Sequence, residues 1–137
     1  MALICDSGPL LGALDDTDPD HRKCRALLRD LSEDLLIPGL VLAEVDYWCH
    51  KRDLTKVWMT WLEELNDGAG IVDWPTTQDF DRALELQRMY TGVGLVDATV
   101  LASVERWNED KLATLDQRHF RMMKPLHVEA LRLLPEN

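Results

Sequence analysis

The feature that most constrains the fold is the stretch from residue 92 to residue 107, which places an acid inside an almost wholly apolar helix. Between residues 95 and 104 only Asp97, Thr99 and Ser103 are polar, so apolar side chains surround the helix instead of following one stripe. We therefore expect this helix to be largely buried. Asp97 would lie in its first turn, where free N–H groups and the helix dipole tolerate an anion. It is either a capping residue or one member of a functional cluster.

Short apolar segments alternate with helical patterns along the whole chain, which favours an α/β fold. We predict a single domain over residues 1–137, a small α/β/α unit with a mainly parallel sheet of four to five strands. The predicted strands are residues 2–5, 34–38, 71–74, 112–115 and 130–134. The predicted helices are residues 10–14, 19–31 with Asp18 as cap and Pro19 at the first position, 39–52, 54–65, 80–90 capped by Thr76 or Thr77, 95–104 and 117–122.

Length and composition exclude several classes of protein. A chain of 137 residues can bury one core, and its longest apolar run is too short and too broken to cross a bilayer. The first residues lack the basic region of a secretory signal, and three cysteines without C-x-x-C spacing suit a reducing cytoplasm. The net charge of −10 repels polyanions, so any binding of nucleic acid requires cations that reverse the local field.

Four acids occupy equivalent places in the predicted fold. Asp6 and Asp116 follow predicted strands, whereas Glu44 and Asp97 lie in early turns of helices that come after strands. In a right-handed parallel sheet all of these places face one edge, where α/β proteins bind ligands. Each acid also has a structural interpretation: Asp6 as a turn residue, for example, or Glu44 on the solvent-facing rim of its helix.

A cluster of four carboxylates predicts a bound cation, because the acids would otherwise repel one another strongly. Mg²⁺ or Mn²⁺ suits the cluster, since these ions prefer oxygen ligands, keep several waters and bridge to phosphate. The cysteine and histidine residues show no zinc-ligand spacing. A cation held in this way activates water and stabilises an in-line displacement at phosphorus, which indicates phosphodiester hydrolysis.

Competing catalytic motifs are absent from the sequence. It contains no G-x-x-x-x-G-K-[ST] loop, no G-x-G-x-x-G and no G-x-S-x-G. A phosphate-transferring aspartate at Asp6 would normally have a second acid two positions later, where Gly8 stands. The acidic cluster is therefore the catalytic machinery that the sequence favours.

The segments around the four acids also carry a family resemblance. They read ICDSGPLL, LVLAEV, GLVDATVLA and LATLDQRHF. Together they resemble the PIN-domain ribonucleases, in particular the VapC-type toxins of bacterial toxin–antitoxin pairs. The resemblance implies Mg²⁺- or Mn²⁺-dependent cleavage of RNA, a homodimer, and inhibition by a cognate VapB-type antitoxin. Its acidic quartet matches Asp6, Glu44, Asp97 and Asp116, its small polar residue matches Ser7, and the threonine of its T-x-D motif matches Thr114.

Roles for these residues follow as hypotheses. Asp6, Asp97 and Asp116 would hold the metal directly or through water, and Glu44 would be a ligand or the general base for the attacking water. Ser7 and Thr114 would orient carboxylates or waters, or are ordinary turn and strand residues. Two basic runs either contact RNA phosphates or are solvated charge. They are Arg118, His119, Arg121 and Lys124, and His50, Lys51 and Arg52.

Two other functions remain compatible with the sequence. A catalytically idle binding module would use the acidic pocket to accept a basic side chain of a partner in a regulatory complex. A nuclease that acts on DNA structures is also compatible, because an acid cluster cannot read a 2′-hydroxyl group.

Overall fold

Five short strands pair in one parallel sheet in the computed structural model, which describes residues 1–136. The predicted α/β class and strand number are confirmed. The last three strands are shorter than predicted. The strands are β1 (Ala2–Cys5), β2 (Asp34–Pro38), β3 (Ile71–Asp73), β4 (Lys111–Ala113) and β5 (Arg132–Leu134).

Seven α-helices connect and cover these strands, and one π-helical turn, Leu65–Ala69, links a helix to β3. Their order along the chain agrees with the predicted pattern. The helices are α1 (Ser7–Leu14), α2 (His21–Arg29), α3 (Gly39–Lys51), α4 (Thr55–Glu64), α5 (Thr77–Met89), α6 (Leu95–Arg106) and α7 (Gln117–Met122).

The strand order β3-β2-β1-β4-β5 determines where a ligand can bind. The chain proceeds from β1 through β2 to β3 in one direction, then crosses to β4 and continues to β5 in the other. Right-handed crossovers therefore place the connecting helices on opposite faces of the sheet. The carboxyl ends of β1 and β4 border the crevice at which the strand order reverses, the usual ligand site of open parallel sheets.

Gly8 allows the segments after β1 and β4 to approach each other closely. A Cβ atom at this position would lie 3.0 Å from the Leu115 Cβ, tighter than ordinary van der Waals contact. The Asp6 N–H donates to the Ala113 carbonyl at 2.8 Å, which extends the pairing of the two strands past their ends. The small residue in the first turn of α1 thus keeps both sides of the crevice together.

The predicted start of α2 is wrong. The helix begins at His21, after Asp20, because Asp18 forms a turn instead of a cap. The Asp18 carboxylate accepts the Asp20 N–H at 2.9 Å, and its carbonyl accepts the His21 N–H at 3.0 Å. Its other carboxylate oxygen lies 3.0 Å from the guanidinium of Arg52.

The cap of α5 is the predicted one. The Thr76 hydroxyl accepts the Asp79 N–H at 3.1 Å, and the Asp79 carboxylate accepts the Thr76 N–H at 3.0 Å. This reciprocal capping box satisfies two N–H groups and defines where α5 begins.

The burial expected for α6 is confirmed, since every residue from Ala98 to Val104 is buried. A polar network secures the far end of this helix. The Ser103 hydroxyl donates to Asp73 at 2.7 Å, and Arg106 forms ion pairs with Asp73 and Asp79. Buried networks of this kind fix one arrangement of the elements that they join.

Two further sequence expectations concern the membrane and the cysteines. No helix within residues 1–136 is long and apolar enough to cross a membrane.

Cys5, Cys24 and Cys49 are free thiols and all buried. Burial is the main reason that the pKa of each thiol is raised, which makes these cysteines poorly reactive.

Shortening Leu101 to alanine should destabilise the protein by roughly 2–5 kcal/mol, because the side chain is fully buried in α6 and its loss leaves a cavity. Leu126→Ala provides the matched control. That side chain is 74% exposed, so its loss should change stability by less than about 0.5 kcal/mol. Chemical denaturation of both variants measures the difference, and equal stabilities would contradict the assigned core.

Candidate metal centre

Asp6 lies at the base of the crevice, directly after β1. It is buried, with 3% of its surface exposed, and both of its carboxylate oxygens have a partner. The Ser7 N–H donates to one at 2.8 Å, and the Thr114 hydroxyl donates to the other at 2.9 Å. The chain thus fixes the orientation of this carboxylate through one residue on each side of the crevice.

Thr114 also orients the loop that carries the next acid. Its hydroxyl accepts the Asp116 N–H at 3.0 Å, an arrangement in which one side chain links the acids after β1 and β4. Ser7 contacts Asp6 through its backbone, and its hydroxyl makes no hydrogen bond within residues 1–136. A side-chain role for Ser7 therefore stays a prediction.

Asp97, Asp116 and His119 bring one ligand atom each to a common place. These atoms all lie within 4.8 Å of one another. The His119 Nδ1 atom is 2.8 Å from an Asp116 carboxylate oxygen and 3.4 Å from an Asp97 oxygen. Asp97 comes from the first turn of α6, whereas the other two residues come from the start of α7. The cluster therefore joins two elements that are distant in sequence.

Electrostatics show that Asp6 belongs to the same charged environment. Burial, followed by the charge of Asp6 and a hydrogen bond shared with Asp116, raises the pKa of Asp97 to about 7. Burial also raises the pKa of Asp6 to about 6, against the hydrogen bonds from Ser7 and Thr114. In the absence of a cation these carboxyl groups hold protons at a pH where isolated carboxyls are ionised.

The neighbouring carboxylates favour the protonated, positively charged form of His119. Its hydrogen bond with Asp116 and the charges of Asp116 and Asp97 raise the pKa of the imidazole above its ordinary value of 6.5. A protonated ring between the two carboxylates supplies part of the positive charge that the cluster requires.

Glu44 stands at the margin of the group. Its charge contributes to the raised pKa values of Asp6 and Asp97, but it lies outside the set of mutually close ligand atoms. The carboxylate borders a cleft of about 470 Å³ between α3 and the start of α6. The walls of this cleft are largely apolar; they comprise Leu40, Ala43, Tyr47, Trp48, Leu95 and Val96.

The donor set fits a divalent cation. Carboxylate oxygens and an imidazole nitrogen are ordinary metal ligands. The three ligand atoms lie close enough together for one ion to contact all of them. Asp6 lies next to this position with an oriented carboxylate. Asp97, Asp116 and His119 are the residues that would contact such an ion first, with Asp6 and Glu44 behind them.

The predicted basic runs lie in different surroundings. Arg118 and Lys124 are exposed, and Arg121 donates to Gln117 on α7. In the other run, Arg52 forms ion pairs with Asp15 and Asp18, at 2.9 and 3.0 Å. Arg52 therefore joins α3 to the loop before α2, whereas the positive charges after β4 face solvent.

Sequence reasoning did not identify His119 as a member of the acid cluster. The sequence predicts this residue as part of the basic run after β4, since it stands between arginines and lacks the spacing of a zinc ligand. The available signal was its position three residues after Asp116, at the start of a short helix, where residues i and i+3 lie on the same face. This spacing predicts that the two side chains can contact each other.

Comparisons with known proteins show the same architecture. A curated relative, Ribonuclease VapC26 of Mycobacterium tuberculosis, is 25% identical over 135 residues, which cover 97% of this chain and all of the relative. The crystal structure of M. tuberculosis VapC20, described as a toxin that cleaves the sarcin-ricin loop, superposes with a TM-score of 0.80 at 15% identity. That match covers 93% of this chain and 98% of VapC20.

VapBC2 from Rickettsia felis, bound to a DNA fragment from its promoter, is a second structural neighbour, with a TM-score of 0.70 at 15% identity. The match covers 97% of this chain and 98% of that chain. The family model for the PIN domain matches residues 3–124, from β1 to just beyond α7, and this span contains all four predicted acids. The protein therefore belongs to the PIN domain family.

Proposed function

We propose that the chain is one metal-dependent endoribonuclease domain, a VapC-type toxin that a cognate antitoxin neutralises in the cytoplasm. The observation that carries the proposal is the meeting of Asp97, Asp116 and His119 near the buried Asp6, at the crevice where the strand order of the sheet reverses. The name of the curated relative, a ribonuclease, supports RNA as the substrate.

A bound Mg²⁺ or Mn²⁺ ion would supply Lewis acidity and a water molecule of lowered pKa. The chain's own residues do the rest. Asp97 and Asp116 would hold the ion. Asp6, whose carboxylate is oriented by its contacts with Ser7 and Thr114, would bind it directly or through a water. Glu44, at the margin of the cluster, would accept the proton of the attacking water as general base.

An acidic nuclease needs local positive charge to hold RNA. The exposed Arg118, Arg121 and Lys124 lie on or just after α7, the helix that also presents His119 to the cluster. Phosphate contacts from these side chains would bring the backbone of the substrate to the metal without reading its sequence. The bound cation itself adds further positive charge at the point of cleavage.

The antitoxin would occupy the apolar cleft next to Glu44. Tyr47 and Trp48 are 54% and 48% exposed there, and Leu95 is 43% exposed, a concentration of apolar surface that favours a protein partner. A peptide that places apolar side chains in the cleft and a basic side chain among the acids would block both metal and RNA. A homodimer, implied by the resemblance, is part of the same proposal.

The alternative is a catalytically idle module in which the acid pocket serves only to accept that basic side chain. The cluster of acids next to the apolar cleft also supports this alternative. Expression of the wild-type chain without a partner separates the two proposals, because an active nuclease would arrest growth and an idle module would not.

Asp97→Asn should abolish Mg²⁺- or Mn²⁺-dependent RNA cleavage. The substitution removes the negative charge of a side chain that would bind the ion together with Asp116 and His119. The variant should still fold, and without metal it should be at least as stable as the wild type, since the substitution relieves repulsion from Asp6. Cleavage of labelled RNA and of the matched DNA, with and without chelator, measures the effect and shows which substrate is cut.

Asp81→Asn is the control, because Asp81 is exposed on α5 and is not part of the cluster. It should cleave RNA at the wild-type rate. Undiminished cleavage by Asp97→Asn would reject the proposed active site.

Metal-free protein should become less stable as the pH rises from about 5 to about 8. The folded state binds protons at Asp6 and Asp97 more tightly than the unfolded chain does, so stability falls as the pH passes through about 6 and about 7. Each pKa unit corresponds to about 1 kcal/mol, which predicts a loss on the order of a few kcal/mol. The raised pKa of His119 acts in the same direction, because its stabilising charge is lost at high pH.

Thermal melts over this pH range, with chelator and with saturating Mn²⁺, test the expectation. The cation binds only the folded state and should restore stability most at the higher pH. Asp97→Asn should show a shallower pH dependence than the wild type. Melting that responds neither to pH nor to metal would mean that the carboxylates do not share one site.

A further inference from the structure

We propose that His119 is a direct metal ligand through Nδ1 and that its nitrogen makes this site prefer Mn²⁺-like ions to Mg²⁺. The inference rests on the proposed function, because it concerns the metal of the same centre. It adds a fifth residue to the four acids and a preference between metal ions that carboxylates alone do not supply.

The geometry places the imidazole nitrogen where a ligand is needed. Nδ1 of His119 lies 2.8 Å from Asp116 and 3.4 Å from Asp97, measured to the nearer carboxylate oxygens. Ligands at adjacent corners of an octahedron with bonds of about 2.1 Å lie about 3 Å apart, which these two separations bracket. A cation that binds both carboxylates therefore also lies within bonding range of Nδ1.

The chemistry of the donors then sets the preference. An all-oxygen site suits Mg²⁺, which binds through few carboxylates and keeps its remaining waters. An imidazole nitrogen is a softer donor that favours first-row transition ions, and affinity for a mixed site rises from Mn²⁺ towards Cu²⁺. Replacing one oxygen donor by His119 should thus increase the affinity for Mn²⁺ with little gain for Mg²⁺.

The other three histidines of the chain are engaged away from the cluster. His21 Nδ1 lies 2.8 Å from the Gly12 carbonyl, and His127 Nε2 lies 2.6 Å from the Glu109 carbonyl. His50 is on α3, close to Asp46 and Thr55. A nitrogen bound to a metal in the carboxylate cluster can therefore be assigned to one residue.

Pulsed electron paramagnetic resonance of Mn²⁺ bound to the intact protein provides a readout independent of catalysis. A coordinated imidazole should give nitrogen couplings to the ion, and these couplings should change when the histidines carry ¹⁵N. The His119→Ala variant should bind Mn²⁺ without them. Arg118→Ala, a change at the adjacent exposed position of α7, should retain them.

Calorimetric titration with Mn²⁺ and with Mg²⁺ tests the preference. We expect His119→Ala to weaken Mn²⁺ binding roughly ten-fold or more, the scale on which metal-site substitutions act. Affinity for Mg²⁺ should change little, because water takes the free position on that ion. Arg118→Ala should leave the ratio of the two affinities as in the wild type.

The outcomes separate this inference from the proposed function. Tight Mn²⁺ binding by the wild type without nitrogen coupling, or an unchanged ratio of affinities in His119→Ala, would overturn the role of His119 and leave the carboxylate nuclease intact. Failure of the wild type to bind either ion would overturn both. Nitrogen coupling that disappears only in His119→Ala, with a reduced preference for Mn²⁺, would establish the ligand.

Discussion

Repulsion among carboxylates at the end of β1 and β4 is the constraint on which the rest of the structure depends. Asp6 and Asp97 hold protons unusually tightly because burial and neighbouring negative charge make ionisation costly. The fold accepts this cost at one crevice and reduces it locally. The Thr114 hydroxyl donates to Asp6, and the His119 ring lies within hydrogen-bond distance of Asp116, so two of the acids have a polar partner within the chain. Sites that remain strained without a ligand are sites organised to bind one.

The distribution of arginines shows how an acidic protein organises its limited positive charge. Arg52, Arg82 and Arg106 form ion pairs with acids that join separate elements, and they stabilise the scaffold. The exposed cations after β4 make no comparable long-range pair within residues 1–136, so Arg118 and Lys124 remain accessible to phosphate. With a net charge of −10, the attraction of RNA by the proposed nuclease would be local to that helix and to the bound cation.

The sequence predicted the α/β fold, and the approach of the segments that carry Asp6 and Asp116, because both depend on simple periodicity. Parallel strands end at one edge, so residues directly after β1 and β4, such as Asp6 and Asp116, had to lie close together. Apolar residues on all sides of α6 predicted that this helix is buried, with Asp97 in its first turn. The start of α2 was mispredicted because Asp18 has a competing partner, Arg52, that lies 34 positions away in sequence. The position of His119 depended on the direction in which one short helix leaves β4, which composition does not encode.

Precision at the crevice depends on contacts at the other end of α6. Asp97 lies in the first turn of that helix, and a rigid helix transmits any tilt of its last turn to its first. Arg106 is held by Asp73 and Asp79, while Glu105 accepts two hydrogen bonds from Arg82 on α5, at 2.9 and 3.0 Å. These ion pairs restrain the last turn of α6, and a well-restrained helix helps to keep Asp97 in a fixed position relative to the acids after β1 and β4. The polar contacts at the far end of α6 therefore support the candidate site, although they lie at the opposite end of the helix from Asp97.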